Sequence, residues 1–434
     1  MKTIQRRKCN SIKGFCLANG NWVSVKGDII REVENYFENL FTTSRPTNLD
    51  PILNLIPRLV EDPINLSLIR EVTDEEVKHA VFEMHPLKGP GIDGMTPFFF
   101  QNYWNVLSTD IIAAIKSFFH SGYLLPSWNQ TLITLIPKVK NPSVISQFRP
   151  IIMCSTIYKI ITKIIGARLK KYLPSIISHN QSSFVGSRHI VDNVVFAHEC
   201  IHVLKNKMRG NNKFMALKLD IAKAYDRVEW IYVQSLLLKM GFHDTFVSWI
   251  MQCITTPTYK FNINGEIVGA VRPIRGLRQG DLLSPYLFIL CAEELSNQAE
   301  EQGELRGICL RRGGPMVNYL FFADDSFLFC SANTQSAVKI SEILRTYELC
   351  SGQKVNFEKS AIYFSKNTTE EEKDNIIVEL GQIRRDNVRL YLGLPAVVER
   401  SKKKMLEFIK ERVKTKIKGW KSSFFKPCRQ RSHA

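Results

Sequence analysis

Three features of this 434-residue sequence predict a mixed α+β fold. The apolar run Tyr319-Leu-Phe-Phe-Ala-Asp-Asp-Ser-Phe-Leu-Phe329 has the pattern of a β-hairpin with two adjacent aspartates at its centre. A second short apolar run, Phe214 to Ile221, reads as a strand with Asp220 near its end. Between and around these strands lie stretches with three- and four-residue apolar spacing, which is the mark of helices buried on one face.

Taken in chain order, the first helical pattern is Ile29, Ile30, Val33, Tyr36, Phe37, Leu40 and Phe41, ended by the Ser44-Arg45-Pro46 break. Another helix is expected from Glu71 to Phe82, with Thr73 as its cap and Glu76 three residues on. Ile190 to Leu204 also reads as a helix, and the basic, Asn- and Gly-rich stretch Lys205 to Lys213 as an exposed turn. Helical spacing from Trp230 to Met240 is closed by Gly241. In Arg275-Gly-Leu-Arg-Gln-Gly-Asp-Leu-Leu-Ser-Pro-Tyr-Leu-Phe-Ile-Leu290, Gly276 and Gly280 permit close backbone approach. Asp281 or Ser284 is placed to cap the helix that follows, and Pro285 fits its first turn. From Arg400 to Ala434, Met405, Ile409, Val413, Ile417 and Trp420 mark one apolar helical face. The rest of that stretch is rich in cations, Lys402, Lys403, Lys404, Lys414, Lys416, Lys418 and Lys421 among them. Such a helix fits either a basic surface against a nucleic-acid backbone or an ordinary solvated face.

Ionised carboxylates are not left unpaired in an apolar core, so Asp324 and Asp325 belong either to a solvated turn or to a site that compensates them. If the 214–221 strand pairs with the hairpin, Asp220 joins the doublet. Three converging carboxylates would then suit two Mg²⁺ ions about 3.5–4 Å apart, the geometry of nucleotidyl transfer. The Gln279 loop lies between these acidic elements in the sequence, and reads either as a nucleotide contact or as an ordinary capped helix.

An ordered series of motifs covers nearly the whole chain. It runs Leu87-Lys-Gly-Pro-Gly-Ile-Asp-Gly-Met95, Leu135-Ile-Pro-Lys-Val-Lys140, Phe148-Arg-Pro-Ile-Ile152, Tyr158-Lys-Ile160 and Gln181-Ser-Ser-Phe-Val-Gly-Ser-Arg188. The Asp220 segment, the Gln279 loop, the Asp324/Asp325 hairpin, Ser351-Gly-Gln-Lys-Val-Asn-Phe-Glu-Lys-Ser360 and Tyr391-Leu-Gly-Leu394 follow. The series resembles the reverse transcriptases of non-LTR, LINE-like retrotransposons of plant type, and the chain is similar to a polymerase-domain fragment of them.

The resemblance implies a right-hand polymerase fold with fingers, a palm bearing an antiparallel sheet and flanking helices, and a partial helical thumb. Residues 1–60 would be a helical leader or linker, 61–213 fingers-like, 214–365 palm, and 366–434 the transition to a basic partial thumb. It implies an RNA-directed DNA polymerase that adds dNTPs to a DNA primer on an RNA template. Asp220, Asp324 and Asp325 would be catalytic carboxylates holding two Mg²⁺ ions, or Mn²⁺ in their place, with the carbonyl of Ile221 as a further ligand. Tyr225 would be the aromatic gate beneath the incoming sugar. Gln279 would touch nucleotide and template, Lys138 and Arg149 the triphosphate, and Lys359 would protonate the pyrophosphate leaving group. Plainer readings are surface cations for Lys138 and Arg149 and a packing aromatic for Tyr225, and the Lys359 segment is the least distinctive of the series. Leu282 and Ile92 replace prolines usual in the family, which predicts looser loops there.

Two readings from other classes compete. One is a catalytically silent retroelement remnant that still binds nucleic acid. The other rests on His198-Glu-Cys-Ile-His202, which matches the zinc-metalloprotease pattern of two histidines one helical turn apart, without a recognisable third ligand.

A net charge of +18 points to an anionic partner and salt-sensitive binding. Ten cysteines without a paired framework are expected to be reduced thiols in an intracellular compartment. No apolar run reaches the roughly 18 residues of a membrane span, so no membrane partner is expected. A nuclear location follows only from the implied reaction.

Overall fold

The computed structural model describes residues 10–208, 210–301, 305–310, 316–323, 325–381, 383–385, 390–392, 394–395, 407, 410–411 and 413–414. Asp324 and most of the expected C-terminal helix lie outside the described residues. In chain order the elements that build the site are helix α1 (Lys26–Phe41), α2 (Asp74–Phe82), strands β1 (Gln130–Pro137) and β2 (Phe148–Cys154), α3 (Thr156–Lys170) and α4 (Ile190–Asn206). Then come β3 (Phe214–Leu219), α5 (Trp230–Lys239), β4 (Thr258–Ile263), β5 (Glu266–Val271) and α6 (Ser284–Glu301). The series ends with β6 (Tyr319–Phe322), β7 (Asp325–Ser331), β8 (Ala361–Phe364) and β9 (Arg384–Arg385). The mixed α and β content expected from the sequence is borne out.

The chain folds as two compact units. The larger comprises Met1–Arg188, Ile221–Glu304 and Lys339–Asn356; the smaller comprises His189–Asp220, Leu305–Val338 and Phe357–Ala434.

The larger unit is organised on a four-stranded sheet of order β2-β1-β4-β5, in which β1 runs antiparallel to β2 and parallel to β4. Helix α1 buries Ile29, Val33, Phe37, Leu40 and Phe41, the face its spacing marks. That face lands on β4, with the Phe37 and Phe261 rings 5.0 Å apart and Phe41 5.2 Å from Tyr259. Helix α2 starts at Asp74, three residues after Glu71, because Thr73 and Glu76 form the reciprocal capping box that ends the preceding extended chain. The same Glu76 accepts two hydrogen bonds from the buried guanidinium of Arg168 on α3. A local cap is thereby made part of long-range packing.

The smaller unit is built on a five-stranded sheet of order β6-β7-β3-β8-β9. Strand β3 lies between β7 and β8 and is antiparallel to both, while β9 runs parallel to β8. Helix α4 covers one face, its Ala197, Cys200, Ile201 and Leu204 packing with Ala216, Phe327, Phe329 and Ala361 of the sheet. Tyr391, from the Tyr-Leu-Gly-Leu motif, enters this core edge-on to Phe327 at 4.7 Å. Its hydroxyl donates to Asn193 Oδ1, and Asn193 Nδ2 donates to the carbonyl of Phe321. A buried amide thus ties α4 to the hairpin strand that leads to the acidic doublet.

Candidate active site

The hairpin is formed as the strand-forming aromatics on both sides of the doublet predict. Tyr319 pairs with Leu328 and Phe322 with Asp325, so the two strands are joined directly beyond Phe322. Ala323 takes a left-handed φ of +55°, an uncommon conformation for a residue with a Cβ, held here by the pairing on both sides. Asp325 opens β7 and so belongs to the strand as much as to the turn.

Strand β7 pairs with β3 in a register that sets Ser326 opposite Leu219 and Phe327 opposite Lys218. Side chains alternate along a strand, so Lys218 and Asp220 share one side of β3 and meet Asp325 on the same side of β7. Lys218 Nζ lies 3.5 Å from Asp325 Oδ1. The Asp220 carboxyl is half-buried and its pKa is raised, chiefly because burial strips water from the charged form. Lys359 and Lys218 oppose that shift, and the nearby negative charge of Asp325 adds to it. The backbone N–H of Asp220 donates to Ser360 Oγ at 3.0 Å, which fixes the strand end against the segment that carries Lys359. Asp220, Asp325, Lys218 and Lys359 are therefore brought together within the smaller unit.

This donor set fits a hard divalent cation. The carboxylate oxygens of Asp220 and Asp325 are the ligand type Mg²⁺ favours, and mutual repulsion between them is the feature a cation would relieve. Among the described residues no group of three His, Cys, Asp or Glu side chains is arranged to hold a metal; Asp324, the third carboxylate expected here, lies outside them.

The remaining predicted residues are in the larger unit. Ile221 forms an antiparallel bridge with Val355, and the next amide, Ala222 N, donates to Lys354 O. Tyr225 lies flat on Phe288 of α6, with centroids 4.4 Å apart. The backbone carbonyl of Tyr225 accepts from Leu277 N at 2.7 Å, so the aromatic position and the Gln279 loop are hydrogen-bonded to each other. Gln279 is half-exposed and its side chain makes no hydrogen bond to another described residue. Lys138 and Arg149 sit at one end of the β1–β2 ladder, where Ile136 pairs with Arg149 and Lys138 N donates to Gln147 O. Arg149 is exposed; the Lys138 ammonium donates to Ser146 O.

Several residues escaped sequence reasoning. Lys218 was discoverable, since it stands two residues from Asp220 and strand alternation puts both on one side. Asp226 was not: it is buried, Oδ2 has no hydrogen-bond partner among the described residues, and its pKa is pushed up to about 6 by burial, against the pull of Lys223, Lys138 and Arg227. Arg275 and Arg278, which precede Gln279 in the loop, are also buried. Arg278 donates to Asn129 Oδ1, Thr131 Oγ1 and Cys253 O and stacks 4.0 Å over Tyr158. Asp281 accepts from Tyr158 Oη and Ser284 Oγ, so both candidate capping residues are engaged. Leu282, in place of the usual proline, uses the N–H a proline lacks to donate to Asp281 Oδ1 at 2.6 Å.

The model of the reverse transcriptase (RNA-dependent DNA polymerase) family matches residues 136–426, well over half the chain. The chain belongs to the reverse transcriptase family. Over 362 residues, 82% of this chain, it is 28% identical to the uncharacterized 149 kDa protein of transposon TX1 from Xenopus laevis. It is 25% identical over 270 residues, 62% of this chain, to the retrovirus-related Pol polyprotein of the type-2 retrotransposable element R2DM from Drosophila melanogaster. A shorter match of 69 residues, 15% of this chain, is 58% identical to an uncharacterized mitochondrial protein of Arabidopsis thaliana and covers 57% of it. The chain spans 27% of the TX1 protein and 24% of the R2DM polyprotein, about a quarter of the length of each. The expected kinship with non-LTR retrotransposon reverse transcriptases is borne out, and with it the palm-and-fingers fold class.

Reverse transcriptases act with divalent metal ions and bind an RNA template and a primer, as expected from the motifs. No described helix is long and apolar enough to cross a membrane. The zinc-protease reading gains no support: His202 is exposed on α4 and its ring meets the Asn206 side-chain amide.

Proposed function

We propose that this chain is the RNA-directed DNA polymerase module of a non-LTR retroelement and extends a DNA primer on an RNA template with dNTPs. The observation that carries the reading is the meeting of Asp220 and Asp325 on one side of paired strands β3 and β7, in a chain of the reverse transcriptase family. Asp220, Asp324, Asp325 and the carbonyl of Ile221 would hold two Mg²⁺ ions, or Mn²⁺. When bound, the metals would supply Lewis acidity for the primer hydroxyl and positive charge beside the phosphate. The primer 3′-oxygen forms a bond to the α-phosphorus as the bond to the pyrophosphate oxygen breaks.

The chain's own groups orient and discriminate. Tyr225, backed by Phe288, bounds the sugar so that a ribose 2′-hydroxyl meets the ring. Gln279 contacts nucleotide and template from the loop. Lys138 and Arg149 bind triphosphate oxygens by charge-assisted hydrogen bonds. Lys359 donates a proton from Nζ to the leaving pyrophosphate. Residues 61–213 then serve as fingers, 214–365 as palm and 366–434 as the transition to the thumb, and the product is made in the nucleus.

Purified chain is expected to extend an annealed primer on RNA with dNTPs and Mg²⁺, and Asp220→Asn or Asp324→Asn to abolish extension. Retained RNA binding with no extension by the wild-type chain under any salt or metal condition would defeat the proposal.

A further inference from the structure

Gln279 is presented by a loop whose other residues are fastened, and the fastening converges on a buried carboxylate with no part in the reaction above. Glu229 is 1% exposed and Arg275 6%. Arg275 Nη1 donates to Glu229 Oε1 at 3.2 Å, while its Nε and Nη2 donate to the carbonyl of Leu40 at the end of α1. Glu229 also accepts from the backbone N–H and the hydroxyl of Ser44, at 2.8 and 2.9 Å, and from the hydroxyl of Thr43. One carboxylate therefore joins two distant segments, the chain just beyond α1 and the start of the Gln279 loop.

The backbone follows the same path. Gly276 N donates to Val228 O at 2.8 Å, its carbonyl accepts from Trp230 Nε1, and Leu277 N donates to Tyr225 O. Gly276 has a φ of +99°, and a Cβ there would lie 2.7 Å from the carbonyl oxygen of Asp226. The loop is thus laid directly on the 225–230 segment that carries the proposed gate. An uncompensated buried charge is strongly unfavourable, so neither member of the Glu229–Arg275 pair can swing out without disrupting the other.

Resting on the polymerase reading, we infer that Glu229 is a positioning residue for nucleotide selection. Through Arg275 it sets the height of the Gln279 loop over Tyr225, and through Thr43 and Ser44 it makes the segment following α1 a structural part of the nucleotide site. Glu229 touches no substrate. Its effect is on where Gln279 and Tyr225 stand relative to each other.

The test uses the full chain and two readouts. In Glu229→Gln, hydrogen–deuterium exchange at the amides of Gly276 and Leu277 is expected to quicken about tenfold or more, with exchange in β1 and β2 unchanged. The KM for dNTP is expected to rise about tenfold, with a smaller fall in kcat and unchanged primer–template affinity. The double variant Thr43→Val, Ser44→Ala removes only the two hydroxyl arms and leaves the Ser44 N–H bond and the buried ion pair, so it folds even if Glu229→Gln does not; it is expected to move both readouts in the same direction by less. Wild-type exchange at 276–277 in these variants overturns the inference, as does quickening spread evenly over β1 and β2. If the wild-type chain extends no primer, the polymerase reading fails, while the exchange measurement still decides whether Glu229 holds the loop.

Discussion

The ring of Tyr225 lies on that of Phe288, 4.4 Å away and 12° from parallel. Phe288 is fully buried in α6 whereas Tyr225 is half-exposed, so the stack commits one face of the tyrosine to the core. The proposed gate would have to keep its position under pressure from a larger sugar, and a stacked, backed ring does so better than a free one. Tyr225→Val is therefore expected to raise rNTP use relative to dNTP by about tenfold or more, comparing the two kcat/KM values. Phe288→Leu, which keeps an apolar wall but removes the stack, should give a smaller shift in the same direction. An unchanged ratio in both would make Tyr225 a packing residue.

Lys218 places a positive charge 3.5 Å from Asp325 and beside Asp220. In the absence of metal it offsets repulsion between the carboxylates; toward an arriving cation it is repulsive. Lys218→Met should tighten Mn²⁺ binding, lowering the half-saturating concentration roughly three- to tenfold, a modest factor because such partly exposed pairs are screened. Metal titration followed by Mn²⁺ paramagnetic resonance reads this without catalysis. Weaker binding in the variant would mean that Lys218 chiefly orients Asp325. Because protons compete with metal for a carboxyl whose pKa is raised, affinity at this site should also fall as the pH is lowered.

Local pattern made the acidic hairpin and the Asp220 strand legible, because the apolar, aromatic-rich run and the aspartates that interrupt it are contained within about ten residues. The capping box at Thr73 and Glu76 is legible for the same reason. The partners were not. That Arg275 and Arg278 are buried depends on Leu40, Glu229, Asn129 and Cys253, none of which is near them in sequence, so no local pattern signals it. Strand β8 escaped notice because four residues carry little periodicity, and its place beside β3 is set by pairing across more than a hundred residues. The basic helix expected from Arg400 onward lies almost entirely outside the described residues.

Gly276 stands at φ +99°, a region L side chains rarely adopt, under the carbonyl of Asp226. Gly276→Ala must either strain that backbone or push the loop away from the Tyr225 segment, at a cost of about 1–3 kcal/mol. Urea unfolding should show a lower midpoint, and dNTP KM should rise more than kcat falls. Gly280, with a φ of +100° but only a contact at 3.6 Å, should tolerate alanine better in the unfolding measurement, since strain there is not compounded by a clash.

Asp226 combines burial with a pKa pushed up to about 6, from an ordinary 3.8, and Lys223, Lys138 and Arg227 only partly offset the lost hydration. The sign of its pH effect follows from which state holds the proton. Between about pH 4 and 6 the folded chain keeps a proton on Asp226 that the unfolded chain has released, so stability from this group falls as pH rises through that window. Above it, the folded state carries a penalty of about 2–3 kcal/mol from the buried charge. Asp226→Asn should therefore stabilise the chain at pH 7.5 and lose most of that advantage near pH 4, where the folded wild-type carboxyl is neutral and the unfolded one is only about half ionised. Urea midpoints of the two proteins across this range give the comparison directly. If the variant is less stable at every pH, the carboxylate is serving the cations around it, and the proposed triphosphate contact of Lys138 then depends on the charge of Asp226.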